Sequence, residues 1–88
     1  MVSKKVTVVN AEGMHMRPAG MIAKAAKAHT DSELIMKANG KDIKATAVMQ
    51  LMAAGIKRGA IVEIIADGEN EQAALDKAAE LFESGFGE

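Results

Sequence analysis

The segment ELIMKANGKDIKA, Glu33 to Ala45, decides the fold because it holds the strongest hairpin signal in the chain. Glu33 to Ala38 alternates enough between polar and apolar residues to predict a strand with one buried face. Asn39-Gly40 follows, and a type I′ turn needs two residues that tolerate positive φ. The segment therefore predicts two antiparallel strands, Glu33 to Ala38 and Lys41 to Ala45, joined by a two-residue turn.

Two elements are predicted before the hairpin. Val2 to Val9 alternates and is rich in β-branched residues, so it is expected to be a strand. Met16 to about Ala28 consists mainly of Ala, Met, Lys and Ile, and its apolar residues share one face of a helix. Pro18 falls in the first turn of that helix, where the missing N–H costs little.

Three elements are predicted after the hairpin. A short helix is expected from about Ala47 to Ala53, with Gly55 at its C-terminal cap. Ala60 to Ala66 predicts a buried strand, and Asp67-Gly68 is expected to turn the chain. The last helix is expected to run from Asn70, as its capping residue, to about Glu83.

The resulting order is β-α-β-β-α-β-α in a chain of 88 residues. This order predicts an α+β fold in which three helices cover one face of a four-stranded, mainly antiparallel sheet, an open-faced β-sandwich. The length is that of one domain, over residues 1–88.

Composition excludes several classes of function. The chain has no cysteine, which excludes disulfides, thiol catalysis and cysteine-based zinc sites. Its two aromatic residues, Phe82 and Phe86, lie near the C-terminus, so a base-stacking nucleic-acid surface is not expected. No apolar run approaches the roughly 18 residues of a membrane span, and no secretory leader opens the chain. We therefore expect a cytoplasmic protein without membrane insertion.

Charge is unevenly distributed along the chain. Residues 1–58 carry a net charge of +6 and residues 59–88 carry −7. The fold can bring the two halves together and cancel them, which leaves an ordinary solvated surface. It can also present a basic face to an anionic ligand or to an acidic partner.

The segment GMHMRPAG, Gly13 to Gly20, lies where a loop enters the first helix. His15 falls at the expected cap, where the backbone N–H groups of the first turn, those of Met16 and Arg17, can bind an anion. The Arg17 guanidinium can grip phosphate oxygens, and a neutral imidazole is a nucleophile. A phosphoryl acceptor is one interpretation, although a histidine at a helix start is more often a plain surface residue. His29 lies at the far end of the same helix, so a metal site shared by the two histidines is not expected.

Gly13 to Ala19 resembles the G-x-H-x-R-P-A signature of the HPr family, the histidine-containing phosphocarriers of the bacterial phosphoenolpyruvate-dependent sugar phosphotransferase system. The length, the element order, Asn39-Gly40-Lys41, Gly55 and Phe86-Gly87-Glu88 are also similar to that family. The resemblance implies that phosphorylated enzyme I phosphorylates His15 on Nδ1. It implies that the A domains of sugar-specific enzyme II permeases then receive the phosphoryl group, which Arg17 stabilises in transit. It further implies a monomeric relay protein, not a free-standing enzyme, with neither metal nor organic cofactor.

The resemblance also implies a surface for partners beside His15. Its residues would be Met14, Lys24, Lys27, Val48, Met49 and Met52. The alternative is a fully buried second helix, since short helices can be apolar all round.

One departure from the family concerns regulation. Many members from Gram-positive bacteria carry a regulatory serine at the start of the second helix, and counting from Gly40 and Gly55 places that position at Ala47. Alanine has no hydroxyl, and Thr46 is at best a weak substitute because one residue turns a side chain by about 100° around a helix axis. Three alternatives to sugar transport stay open: a regulatory relay, for example in nitrogen control, a non-catalytic HPr-like module, and an α+β domain without phosphate chemistry.

Overall fold

The computed structural model describes residues 1–28 and 31–87, and it confirms the predicted order of strands and helices. The elements are β1 (Val2–Thr7), α1 (Met16–Ala28), β2 (Ser32–Ala38), β3 (Lys41–Lys44), α2 (Val48–Ala53), β4 (Ile61–Gly68) and α3 (Glu71–Glu83). A short 3₁₀ turn, Gly85–Gly87, follows α3.

The four strands form one antiparallel sheet in the order β1-β4-β2-β3. The hairpin between β2 and β3 turns at Asn39 and Gly40, whose φ angles are 52° and 75°. Both are positive, as a type I′ turn requires. The side-chain amide of Asn39 also donates a hydrogen bond of 2.9 Å to the carbonyl of Ala54, which ties the hairpin to the end of α2.

One face of the sheet is buried under the helices. α3 packs against β1 and β4, while α1 packs against α3 and α2. Alternate strand residues enter the core, as a period of two requires. These residues are Val6, Leu34, Met36, Ala38, Ile43, Val62, Ile64 and Ala66. At the C-terminal end, the rings of Phe82 and Phe86 are fully buried and meet edge to face, with centroids 4.9 Å apart.

The other face of the sheet is open and carries a row of alternating charge. The strand register aligns Lys5 with Glu63, Glu63 with Lys37, and Lys37 with Asp42, in order across all four strands. Opposite charges on adjacent strands are favourable neighbours. This row suits a face that stays in water, and it explains why the sandwich is open on one side.

The structure corrects the predicted turn at Asp67-Gly68. β4 continues through both residues, which pair with Glu33 and Ser32 of β2. Gly68 has a φ of 151°, and a Cβ there would lie 2.6 Å from the Cα of Ser32. Glycine is present because the two backbones approach closely, and the chain turns afterwards at Glu69 and Asn70.

The capping prediction for Asn70 is correct in position but wrong for the side chain. The carbonyl of Asn70 accepts a hydrogen bond of 3.0 Å from the amide of Ala74, which opens α3. Its side-chain amide donates to the carboxylate of Asp31 and makes no capping hydrogen bond. The side chain therefore joins α3 to the segment that enters β2. No helix within the described ranges has both the length and the apolar character needed to cross a bilayer.

Replacing Gly68 with alanine should destabilise the protein, whereas Gly20→Ala should not. The backbone at Gly68 has no room for a Cβ and adopts a positive φ, so the substitution should cost about 1–3 kcal/mol. Gly20 lies exposed in α1 with nothing within 4 Å of a Cβ, so alanine there should stabilise by about 0.5–1 kcal/mol. Urea denaturation of both variants measures the difference. Equal stabilities would contradict the close approach at Gly68.

Candidate functional site

The loop that leads into α1 is held by hydrogen bonds along its length. The amide of Gly13 donates to the carbonyl of Asn10 at 3.2 Å. The buried side-chain amide of Asn10 donates in turn to the carbonyl of Gly13 at 2.6 Å. The amide of Met14 donates to the carbonyl of Ile56 at 2.8 Å, which fixes the loop to the segment before β4. The backbone that presents His15 is therefore firmly placed.

Gly13 is the residue that allows this arrangement. Its φ is 68°, and a Cβ would lie 2.6 Å from the carbonyl oxygen of Ile56 and 2.8 Å from the Cα of Lys57. Only glycine combines that angle with such a close approach. The short distance also places Lys57 on the segment directly behind the loop.

His15 occupies the N-cap of α1. Its carbonyl accepts the first helical hydrogen bond, 3.0 Å from the amide of Ala19. Ala19 is the first residue of α1 whose amide donates a hydrogen bond within the helix. The amides of Met16 and Arg17 come before it, and Pro18 has no N–H. The first turn of α1 also contains no acidic residue. The start of the helix therefore offers two amides and a positive end of the helix dipole beside His15.

A carboxylate lies next to the imidazole. The Glu12 Oε2 atom is 3.7 Å from the His15 Nε2 atom, and the two side chains are 77% and 33% exposed. In the sequence, Glu12 is one of the acidic residues within the net charge of +6 over residues 1–58, and no motif assigns it to the site. The signal available in the sequence is the spacing of three residues between Glu12 and His15. This spacing brings the two side chains together only because of the path that the loop takes. Arg17 is exposed in the first turn of α1.

The described part of the chain offers no metal centre. Among residues 1–28 and 31–87, no three His, Asp or Glu side chains are grouped so that they can hold an ion. His29, the second histidine considered from the sequence, lies outside the described residues.

Comparison with known proteins identifies the family. Residues 2–84 match the family described as "PTS HPr component phosphorylation site". The chain belongs to the HPr family. "Phosphocarrier protein HPr" of Haemophilus influenzae is 37% identical over 81 residues, which cover 92% of this chain and 94% of that protein. "HPr-like protein Crh" of Bacillus subtilis is 38% identical over 79 residues, or 90% of this chain and 92% of that protein.

A solved structure of the HPr family supports the same assignment. HPr-C-His from Thermoanaerobacter tengcongensis matches with a TM-score of 0.92 at 30% identity, covering 100% of this chain and 98% of that chain. The agreement extends over the whole open-faced sandwich.

The second helix of this HPr-family chain is partly open to solvent. Leu51 is fully buried, but Met49 is 76% exposed, and Val48 and Met52 are half-buried. The alternative of a fully buried α2 is therefore wrong. α2 packs against α1, on which two lysines are exposed. The docking patch is our name for five of the residues at which the resemblance predicts partner binding: Lys24, Lys27, Val48, Met49 and Met52.

Met14 is not on the surface that the HPr resemblance implied for it. Its side chain is 6% exposed and belongs to the hydrophobic core. The amide of Met14 donates a hydrogen bond to Ile56, and its side chain packs in the core under the loop. The exposed methionine beside His15 is instead Met16, whose side chain is 71% exposed.

Ala47 is the N-cap of α2, in agreement with its predicted place at the helix start. Its carbonyl accepts a hydrogen bond of 3.0 Å from the amide of Leu51, and it makes no side-chain cap. Thr46 is exposed and precedes the helix. The position at which the resemblance implies a serine in many Gram-positive members is therefore a helix cap without a hydroxyl.

Proposed function

We propose that the protein is the phosphocarrier of a sugar phosphotransferase system. It accepts a phosphoryl group from phosphorylated enzyme I on His15 and passes it to the A domains of sugar-specific enzyme II permeases. It acts as a monomer in the cytoplasm and needs no cofactor. The observation that carries this proposal is the position of His15 at the N-cap of α1 in a chain of the HPr family.

The geometry suits a transient phosphohistidine. The lone pair of Nδ1 attacks phosphorus, the bond from phosphorus to the donor breaks, and the electron pair leaves with the donor. The amides of Met16 and Arg17 and the Arg17 guanidinium then face the negative oxygens of the attached group. The second transfer reverses these steps with an acceptor in place of the donor. Solvent exposure of one third of the His15 side chain leaves it accessible to both partners.

The docking patch supplies a place for partners to bind. Exposed methionine adapts to partners of different shape, because the thioether chain is flexible and polarizable. The lysines of α1 would attract acidic partner surfaces and speed their encounter. In this proposal, the net positive charge of residues 1–58 serves to attract acidic partners.

A regulatory HPr-like module is the second candidate. The identity to "HPr-like protein Crh" is similar to the identity to "Phosphocarrier protein HPr". The presence of both His15 and Arg17 favours a carrier, and the missing hydroxyl at Ala47 disfavours control by a serine kinase. A relay in another branch, such as nitrogen control, would use the same chemistry with different partners.

His15→Ala should abolish phosphorylation by enzyme I and phosphoenolpyruvate, because it removes the nucleophile. Arg17→Ala should slow the transfer about tenfold, as expected for loss of one charge-assisted hydrogen bond. The measurement is the rate of labelling from radioactive phosphoenolpyruvate, with circular dichroism to confirm folding. The label on wild type should be acid-labile and base-stable. Full labelling of His15→Ala would overturn the proposal.

Met49→Ser should weaken the binding of enzyme I without changing the chemical step. Loss of an exposed apolar contact of about 1 kcal/mol raises KM roughly fivefold at unchanged kcat. Ile61→Ser is the matched control, because Ile61 is also apolar and 63% exposed but lies on the open face of the sheet. An equal effect of both substitutions would argue against the docking patch.

Wild-type protein should be a poor substrate for a serine kinase that regulates HPr proteins, whereas Ala47→Ser should accept one phosphate. The hydroxyl is absent at the N-cap of α2, and Thr46 precedes the helix. Mass spectrometry after incubation with the kinase and ATP measures the incorporation. Stoichiometric phosphate on wild type that disappears in Thr46→Ala would show that the threonine is the regulatory residue.

A further inference from the structure

We propose that Glu12 is a positioning residue for phosphotransfer, which acts on His15 through Nε2. The carboxylate keeps the ring hydrogen on Nε2, so that the lone pair on Nδ1 is available to the phosphoryl group. This inference rests on the proposed phosphorylation of His15 and adds a residue to that site. It starts from the 3.7 Å distance between Glu12 Oε2 and His15 Nε2.

The backbone around Glu12 holds the carboxylate in place. Glu12 lies in a turn between Asn10 and Gly13 that the hydrogen bonds at 3.2 Å and 2.6 Å close from both sides. The Met14–Ile56 hydrogen bond and the backbone contact at Gly13 hold the turn against the segment before β4. Glu12 and His15 are therefore carried on the two ends of one short, fixed segment. Because the backbone between them is held by these hydrogen bonds, the distance between the two groups depends mainly on the torsions of their side chains.

A carboxylate at Nε2 selects one form of the neutral ring. Neutral imidazole carries a single N–H, and the partner of one nitrogen determines which nitrogen holds it. Negative potential at Nε2 favours the hydrogen at Nε2. Nδ1 is then left with its lone pair, as a nucleophile requires.

The same contact supports the phosphorylated state. When Nδ1 bonds to phosphorus and the donor departs with its electron pair, the ring gains positive charge while the hydrogen stays on Nε2. Glu12 is then next to a cationic ring and offsets that charge. When the acceptor takes the phosphoryl group, the ring returns to the neutral form with the hydrogen still on Nε2. Neither transfer requires the ring to gain or lose a proton.

Glu12 is negatively charged, whereas Arg17, the other charged residue predicted for the site, is positively charged. Arg17, exposed in the first turn of α1, is a cation, which suits the phosphoryl oxygens. Glu12 is the acid of the loop, and its contact is with the ring at Nε2. Because its side chain is mostly exposed, water screens the interaction. We therefore expect an effect of about two- to fivefold on rate, the range of exposed ion pairs.

The first test examines the ring in the absence of any partner. Nitrogen NMR shifts of the His15 ring in alkaline buffer report which nitrogen holds the hydrogen. Glu12→Gln keeps the size of the side chain and removes its charge, and it should raise the population with hydrogen on Nδ1. Glu12→Asp should lie between wild type and Glu12→Gln. Glu33→Gln, which removes an exposed carboxylate from β2, should leave the ring unchanged. An unchanged ring in Glu12→Gln would overturn the inference.

The second test measures transfer from enzyme I. Glu12→Gln should lower kcat about two- to fivefold with KM unchanged, because the docking patch is untouched. Glu12→Asp should recover part of the rate, and Glu33→Gln should match wild type. A rise in KM alone, or no change in kcat, would overturn the role of Glu12 while leaving the carrier function intact. Failure of enzyme I to label wild type would instead overturn the proposed function, and the NMR result would be unaffected.

Discussion

The hydrogen bond from the amide of Met14 to the carbonyl of Ile56 is the contact on which the site depends. It forms because Gly13 lets two backbones approach to a distance that excludes a side chain. The contact joins the entrance of α1 to the segment that follows α2. This one backbone contact therefore positions both His15 and the helix that carries Val48, Met49 and Met52. A shift of that contact would move His15 and the docking patch together.

Most of the core lies in other elements than those that carry His15 and the docking patch. The sheet and α3 supply most of the core, including Phe82.

The C-terminal turn connects this core to the site. Gly85, Phe86 and Gly87 all have positive φ, which directs the Phe86 ring inward against Phe82. A Cβ at Gly85 would lie 3.6 Å from the Val9 side chain and 4.0 Å from the Asn10 Cβ. The last turn therefore packs beneath the residue that holds the loop before His15.

Local patterns predicted the elements, and long-range contacts account for what they missed. The β2–β3 turn and α1 were predictable because their periodicity and turn residues lie within a few positions of one another. The continuation of β4 through Gly68 was not predictable, because it depends on pairing with Ser32 of β2, which is far away in sequence. Met14 was misplaced because an apolar residue in a loop fits a surface or a core equally well until the contact with Ile56 is known. Glu12 is not predictable for the same reason, because its distance from His15 depends on the path of the loop.

The open face of the sheet has a practical consequence. Lys37 lies there in the charged row, on the side of the sheet away from α1 and α2. The chain contains no cysteine, so Lys37→Cys would introduce a single thiol at a surface that neither the nucleophile nor the docking patch uses. A fluorophore or a surface tether attached at that thiol leaves the opposite side of the molecule unobstructed. The fold thus separates a face suited to chemical attachment from the face that carries His15 and the docking patch.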